Sequence, residues 1–143
     1  MYIVSGCLLG KNCKYNGGNN RNEKVLEFLK DKKYVEVCPE SAGGLKIPRP
    51  AAEIKGESVI NKEGVDVTYE FILGAKLSLE KAINYSKEIG EEIEGAILKA
   101  NSPSCGSGKI YDGSFSKKLI DGDGIFARVL KDRKIKVITE NEL

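Results

Sequence analysis

The side chains of this sequence that can do chemistry are few and narrow in kind. There are four cysteines, Cys7, Cys13, Cys38 and Cys105, and no histidine. Without imidazole, the usual general base and the commonest metal ligand are both missing. Catalysis must then fall to carboxylates, hydroxyls, lysines or a bound cofactor. Four thiols in a chain expected to live in a reducing compartment argue against disulfides and for metal binding or thiol chemistry. Their spacing narrows the choice. No C-x-x-C pair occurs, and five residues separate Cys7 from Cys13, which fits neither a zinc knuckle nor a thioredoxin-like redox pair. Thiolates isolated on separate segments suit an iron–sulfur cluster, whose several irons spread the ligands apart. Four cysteines would close a [4Fe–4S] cluster, as electron transfer requires. Three would leave one iron open as a Lewis acid, as substrate chemistry requires.

The elements that must position these thiols can be read from apolar periodicity. "YIVS" (2–5), "YVEV" (34–37), "GAILK" (95–99) and "IKVIT" (135–139) read as strands. "NEKVLEFLK" (22–30) places Val25, Leu26, Phe28 and Leu29 on one helical face. A long helix is expected over 69–89, capped by Thr68 or Asp66, with Phe71, Ile72, Ala75, Leu79, Ala82 and Ile83 inward and Gly90 ending it. A last helix is expected over 125–133. "SVI" (58–60) and "VDV" (65–67) read as a small hairpin. The segment 39–56, with three prolines and paired glycines, reads as a structured loop, and so does 100–124. Strands alternating with helices predict one α/β domain over 1–143, with a mostly parallel, Rossmann-like sheet flanked by helices. Such sheets bind ligands beyond the carboxyl ends of their strands. Cys7, Cys38 and Cys105 all follow strands and are flanked by Gly or Pro, so the cluster site is expected at that edge. A free cysteine is most often a small buried hydrophobe, but three at equivalent strand ends make coincidence the weaker account. Cys13 lies inside a loop and is the expected spare.

Other residues join by proximity. Glu40, two residues past Cys38, stands where an acid/base can serve a bound substrate, although a lone carboxylate is by default a solvated charge or a cap. Gly43 and Gly44 can offer backbone N–H groups to an anion, or be turn glycines only. Lys46 and Arg49 can hold a phosphate, and an Arg49–Glu53 ion pair is an equally good reading. Ser102 and Ser104 bracket Pro103 before Cys105; they suit turn chemistry, or the orientation of water or a substrate carbonyl. "GSGK" (106–109) lacks phosphate-loop spacing. Tyr111 sits in a turn signal and can stack on a base.

Taken in order, "CLLGKNCKYNGG", "VCPESAGGLKIPRPAAEI", "GVDVTYEFILGA" and "AILKANSPSCGSGKIYDGSF" resemble the thiouracil desulfidase family over nearly the whole chain. The resemblance implies a [4Fe–4S] cluster held by Cys7, Cys38 and Cys105, with one iron not ligated by protein and able to carry a hydrosulfide. It implies Glu40 and Ser102 as catalytic residues, and an overall hydrolase- or lyase-type removal of sulfur from a thiolated pyrimidine. Where the family commonly shows Arg-Tyr-Asp-Gly, this chain reads Lys14-Tyr15-Asn16-Gly17, which keeps the charge and loses the carboxylate.

Composition sets the remaining bounds. With 41% hydrophobic and 31% charged residues the chain reads as a soluble globular protein. No apolar run approaches the ~20 residues needed to span a membrane, "MYIVSGCLLG" has no leader pattern, and a cytoplasmic location is expected. A net charge of +2 disfavours a whole tRNA as substrate without ruling it out. Free base, nucleoside and nucleotide stay open, as does oligomeric state. Two rival readings are a four-cysteine electron-transfer or sulfur-carrier module and a zinc-stabilised nucleotide-binding domain without catalysis.

Overall fold

The computed structural model describes Met1–Leu143. Four short strands, β1 (Tyr2–Ser5), β2 (Tyr34–Val37), β5 (Gly95–Leu98) and β8 (Val137–Thr139), form an all-parallel sheet in the order β2-β1-β5-β8. The register places Ile3 beside Val35 and Ala96, and Ile97 beside Ile138. Both faces of the sheet are covered, which is why β5 is buried at every position. On one face, α1 (Glu23–Leu29) brings Val25 and Leu29 against Val4, Leu8 and Ile97. On the other, α3 (Thr68–Ile89) and α4 (Ile125–Asp132) bring Ala75, Leu79, Phe126 and Leu130 against Ile3, Ala96 and Leu98. The crossover leaving β1 therefore lies on the opposite face from the one leaving β5. A crevice opens between these neighbouring strands at their carboxyl ends, the usual ligand position in open α/β sheets.

The expected fold class holds, and several local expectations need correction. The segment 39–56 is not all loop. It opens with one helical turn, α2 (Pro39–Ala42), and ends in β3 (Ala52–Lys55). Proline at the first helical position loses no hydrogen bond, which is why a proline-bearing stretch can still start a helix. β4 (Ser58–Asn61) pairs along its length with β3. Residues 65–67 reach β4 only through an Ile60–Asp66 bridge, with Asn61 N–H donating to Val65 O (2.9 Å) and Val67 N–H to Val59 O (2.8 Å). The stretch 100–124 likewise contains a hairpin, β6 (Lys109–Tyr111) with β7 (Leu119–Asp121). On α3, Ile72 is exposed at 56%, and the Thr68 hydroxyl accepts from Val59 N–H (2.8 Å) instead of capping the helix. Asp66 takes the Thr68 N–H at 2.9 Å.

One packing detail sets the position of the site. A Cβ on Gly43 would lie 1.9 Å from the carbonyl oxygen of Glu70, and one on Gly74 would lie 1.8 Å from that of Pro39. The backbones of α2 and α3 thus touch at two glycines, fixing the turn that carries Glu40. The contact is backbone on backbone, so no side chain can yield. Gly74→Ala is expected to lower the unfolding free energy by about 1–3 kcal/mol, read by urea denaturation. Wild-type stability in that variant would show that α2 can move off α3.

Candidate functional site

All four cysteines line one cavity of about 400 Å³ at the carboxyl edge of the sheet. Cys7 lies in the 3₁₀ turn Gly6–Leu9 that follows β1, and Asn20 Nδ2 donates to its sulfur at 3.4 Å. Cys38 is the N-cap position of α2, with the Ser41 hydroxyl 3.3 Å from its sulfur. Cys105 is reached from β5 through a turn that Asn101 makes in the left-handed region (φ 69). The Ser5 hydroxyl donates to Cys105 Sγ at 3.2 Å. The amides of α4's first turn hold this loop in place, Ile125 N–H donating to Pro103 O (2.9 Å) and Phe126 N–H to Ser104 O (2.8 Å).

Cys13, the expected spare, is 4% exposed and lines the same cavity, its carbonyl oxygen 3.6 Å from Cys38 Sγ. It is the only buried residue of the polar stretch "KNCKYNGGNN", whose other members are exposed or half-buried.

The four thiols are not equivalent. Hydrogen bonding with Cys13 lowers the Cys38 pKa to about 5; burial opposes this, while Ser41 and the Arg49 charge assist. Cys13 is held protonated, chiefly by the same bond and then by burial. Burial pushes Cys105 up to about 12 against the Ser5 and Ser104 hydroxyls. It also raises Cys7, against the Asn20 bond.

The donor set fits a polynuclear cluster better than a single ion. No three Cys, Asp or Glu side chains converge closely enough to hold one metal ion. Instead the sulfurs are spread round a cavity, and three of them have hydroxyl or amide partners of the sort that orient metal ligands. Loading such a group would require Cys7 and Cys105 to release protons.

The expected acid lies in the same cavity and is more elaborately held than the sequence indicated. Glu40 Oε1 accepts from Arg49 Nε at 3.1 Å, and its Oε2 accepts from the Ser104 hydroxyl at 2.8 Å. The two charged side chains are 15% and 6% exposed, so the pair is shielded from water. Arg49 Nη2 also donates to Cys13 O at 2.8 Å. The Arg49–Glu53 pair is therefore absent. Glu53 Oε1 instead accepts the amides of Gly113 and Phe115, both at 3.0 Å, and so anchors the β6–β7 hairpin. Ser102 accepts from Cys105 N–H at 2.8 Å and stands 3.4 Å from the Ser104 oxygen, long for a hydroxyl pair. Tyr111 lines the cavity from β6.

Gly43 and Gly44 do not join the cavity. Their N–H groups donate to Pro39 O and Ser41 O, both at 3.0 Å, closing α2. Lys46 is exposed and lies outside the cavity lining.

Sequence reasoning missed Ser5, Asn20, Lys99 and Glu140. Ser5 and Lys99 stand at strand ends as the cysteines do, and asking what else the strand ends deliver would have found them. Glu140, in the turn after β8, follows the same rule.

In the metal-free protein, Cys38 is expected to react with iodoacetamide at neutral pH well before Cys105, read by peptide mass spectrometry. Its thiolate is present above its lowered pKa, whereas Cys105 stays protonated. Equal rates at the two positions would contradict this ordering.

Comparison with known proteins agrees with this geometry. The family model described as 2-thiouracil desulfurase matches residues 2–142. The uncharacterized protein YbbK of Bacillus subtilis (strain 168) is 45% identical over 153 aligned residues, covering 100% of this chain and 97% of that one. The solved structure of the [4Fe-4S]-dependent thiouracil desulfidase TudS superposes with a TM-score of 0.84 at 40% identity, covering 99% of this chain and 91% of that one. With the match extending from β1 to the last turn, the chain belongs to the 2-thiouracil desulfurase family.

Proposed function

We propose that this chain is a [4Fe–4S]-dependent desulfidase that exchanges the sulfur of a thiolated pyrimidine for oxygen: thiocarbonyl plus water gives carbonyl plus hydrogen sulfide. The observation that carries the reading is the shared cavity, in which cysteines from three strand ends surround a shielded Glu40–Ser104 pair. Family membership supports it, as does the likeness to a solved desulfidase. Cys7, Cys38 and Cys105 are the proposed ligands. When bound, the cluster would supply a Lewis-acidic iron toward the thiocarbonyl sulfur.

The chain's own residues supply binding and proton handling. Arg49 fixes one oxygen of Glu40, so the carboxylate has a single orientation and its other oxygen is presented to the cavity side. Ser104 donates to that oxygen, and Ser102 lies next in line. A water attacking the pyrimidine carbon can pass its proton to Glu40 directly or through the two hydroxyls. Ser102 also fixes the Cys105 amide, joining the proton path to the ligand loop. Tyr111 and Phe115 offer aromatic surface at the cavity for a pyrimidine ring. A cavity of this size suits a free base, nucleoside or nucleotide. No helix of the chain is long and apolar enough to cross a membrane.

One observation favours a second reading. Cys13 is buried against Cys38, so a cluster closed by four cysteines, serving electron transfer or sulfur carriage, remains a rival. Cys13→Ser separates the two. The desulfidase reading expects about four irons and four sulfides per chain and sulfide release at the wild-type level; the rival expects loss of the cluster.

Glu40→Gln preserves size and an acceptor for Arg49 while removing the base and reversing the bond to the Ser104 hydroxyl. Sulfide release from 2- and 4-thiopyrimidines is expected to fall about 10²-fold or more, at unchanged iron content. Ser104→Ala should cost activity too, because it leaves the shielded carboxylate short of a donor. A fully active, cluster-loaded Glu40→Gln enzyme would sink the assignment of Glu40.

A further inference from the structure

Two buried carboxylates near the cavity have no part in that chemistry. Glu53 is occupied by the amides of the hairpin. Glu140 is tied to a cation that faces the cavity. Its Oε1 accepts Ala100 N–H at 2.7 Å, and its Oε2 pairs with Lys99 Nζ at 2.9 Å. The ammonium also donates to Ala100 O at 3.1 Å. At the other end of the residue, Lys99 N–H donates to Ser5 Oγ at 3.0 Å, the hydroxyl that in turn donates to Cys105 Sγ. Lys99 is therefore fixed at both ends, its side chain only 28% exposed.

The other cations of the cavity are placed differently. Arg49 is also paired, but its partner Glu40 itself lines the cavity. Lys62 and Lys117 are exposed, Lys14 is half-buried, and none of the three has a carboxylate partner. Lys99 lines the cavity that the four thiols also line and Glu140 does not, so the pair is a dipole with its cation on the cavity side.

We propose that Lys99, anchored by Glu140, is a positioning residue that supplies the fixed positive charge of the cluster cavity. It offsets the negative charge of three cysteinate ligands and keeps the group they hold electron-poor. This rests on the desulfidase reading and adds a residue to it. A fixed cation favours the more negative, reduced form of a neighbouring redox centre and raises its midpoint potential. The same field assists the movement of electron density from a substrate sulfur toward the site. The dipole is already oriented before substrate arrives, so no reorganisation is needed during the reaction.

The test compares reconstituted wild type with Lys99→Met, Lys99→Gln and Lys99→Arg. Iron and acid-labile sulfide are counted, and the midpoint potential is taken by mediated titration followed by electron paramagnetic resonance. Both neutral variants should show a lower potential than wild type, and Lys99→Arg one close to it. In the neutral variants kcat should fall roughly tenfold at little-changed KM, below the 10²–10³ of a direct oxyanion donor. Loss of the cluster from both neutral variants but not from Lys99→Arg would support the same assignment, since charge alone separates them. Equal potentials in Lys99→Met and wild type would overturn it, as would failure of Lys99→Arg to load a cluster that Lys99→Met loads. A wild type that takes up no iron would instead overturn the desulfidase reading itself, so the two failures are distinct.

Discussion

Everything at this site depends on the parallel pairing of β1 with β5. Paired in register from Tyr2–Gly95 to Val4–Ile97, the two strands end together and point the same way. Their crossovers leave on opposite faces, which keeps helices out of the space just beyond the strand ends. The turn carrying Cys7 and the loop carrying Cys105 can then face each other across an open crevice. Ser5, the last residue of β1, ties the two strand ends directly: it accepts from Lys99 N–H and donates to the Cys105 sulfur. An antiparallel sheet would send alternate loops to opposite edges and separate these thiols.

The cavity is a problem of charge placed in a poorly solvated space. Cys7, Cys13 and Cys105 resist ionisation there, and carboxylates and cations need partners. The structure meets this with short paired arrangements: Arg49 with Glu40, Lys99 with Glu140, and hydroxyl or amide partners on three of the sulfurs. Each charged pair is anchored to the backbone of a different strand-end segment. Arg49 reaches the Cys13 carbonyl, and Glu140 the Ala100 amide. The electrostatics and the folding of the loops are therefore one network, and a change at any member displaces its neighbours.

Supporting contacts lie at a distance from the chemistry. The glycine crossing of α2 on α3 presses the Cys38–Glu40 turn toward the sheet edge. Glu53, in the small β3–β4 ribbon, holds the tip of the β6–β7 hairpin, from which Tyr111 and Phe115 reach the cavity. Both features come from segments whose proline, glycine and serine content makes them look like plain loops. Their order comes from buried backbone contacts, which composition does not reveal.

The sequence by itself determined the fold class, the four sheet strands and the edge at which Cys7, Cys38 and Cys105 collect. Those follow from apolar periodicity and from the polarity of parallel strands, both of which are local properties of the chain. It also singled out Glu40, Arg49, Ser102, Ser104 and Tyr111, all of which line the cavity. Only the tertiary structure decided who partners whom. Arg49 takes Glu40 over the nearer-in-sequence Glu53, Cys13 is buried beside Cys38, and the N–H groups of Gly43 and Gly44 close a helix. Lys99 and Glu140, 41 positions apart, meet only because β8 lies beside β5. Such choices rest on distances between segments remote in the chain, and no local pattern of residue types encodes them.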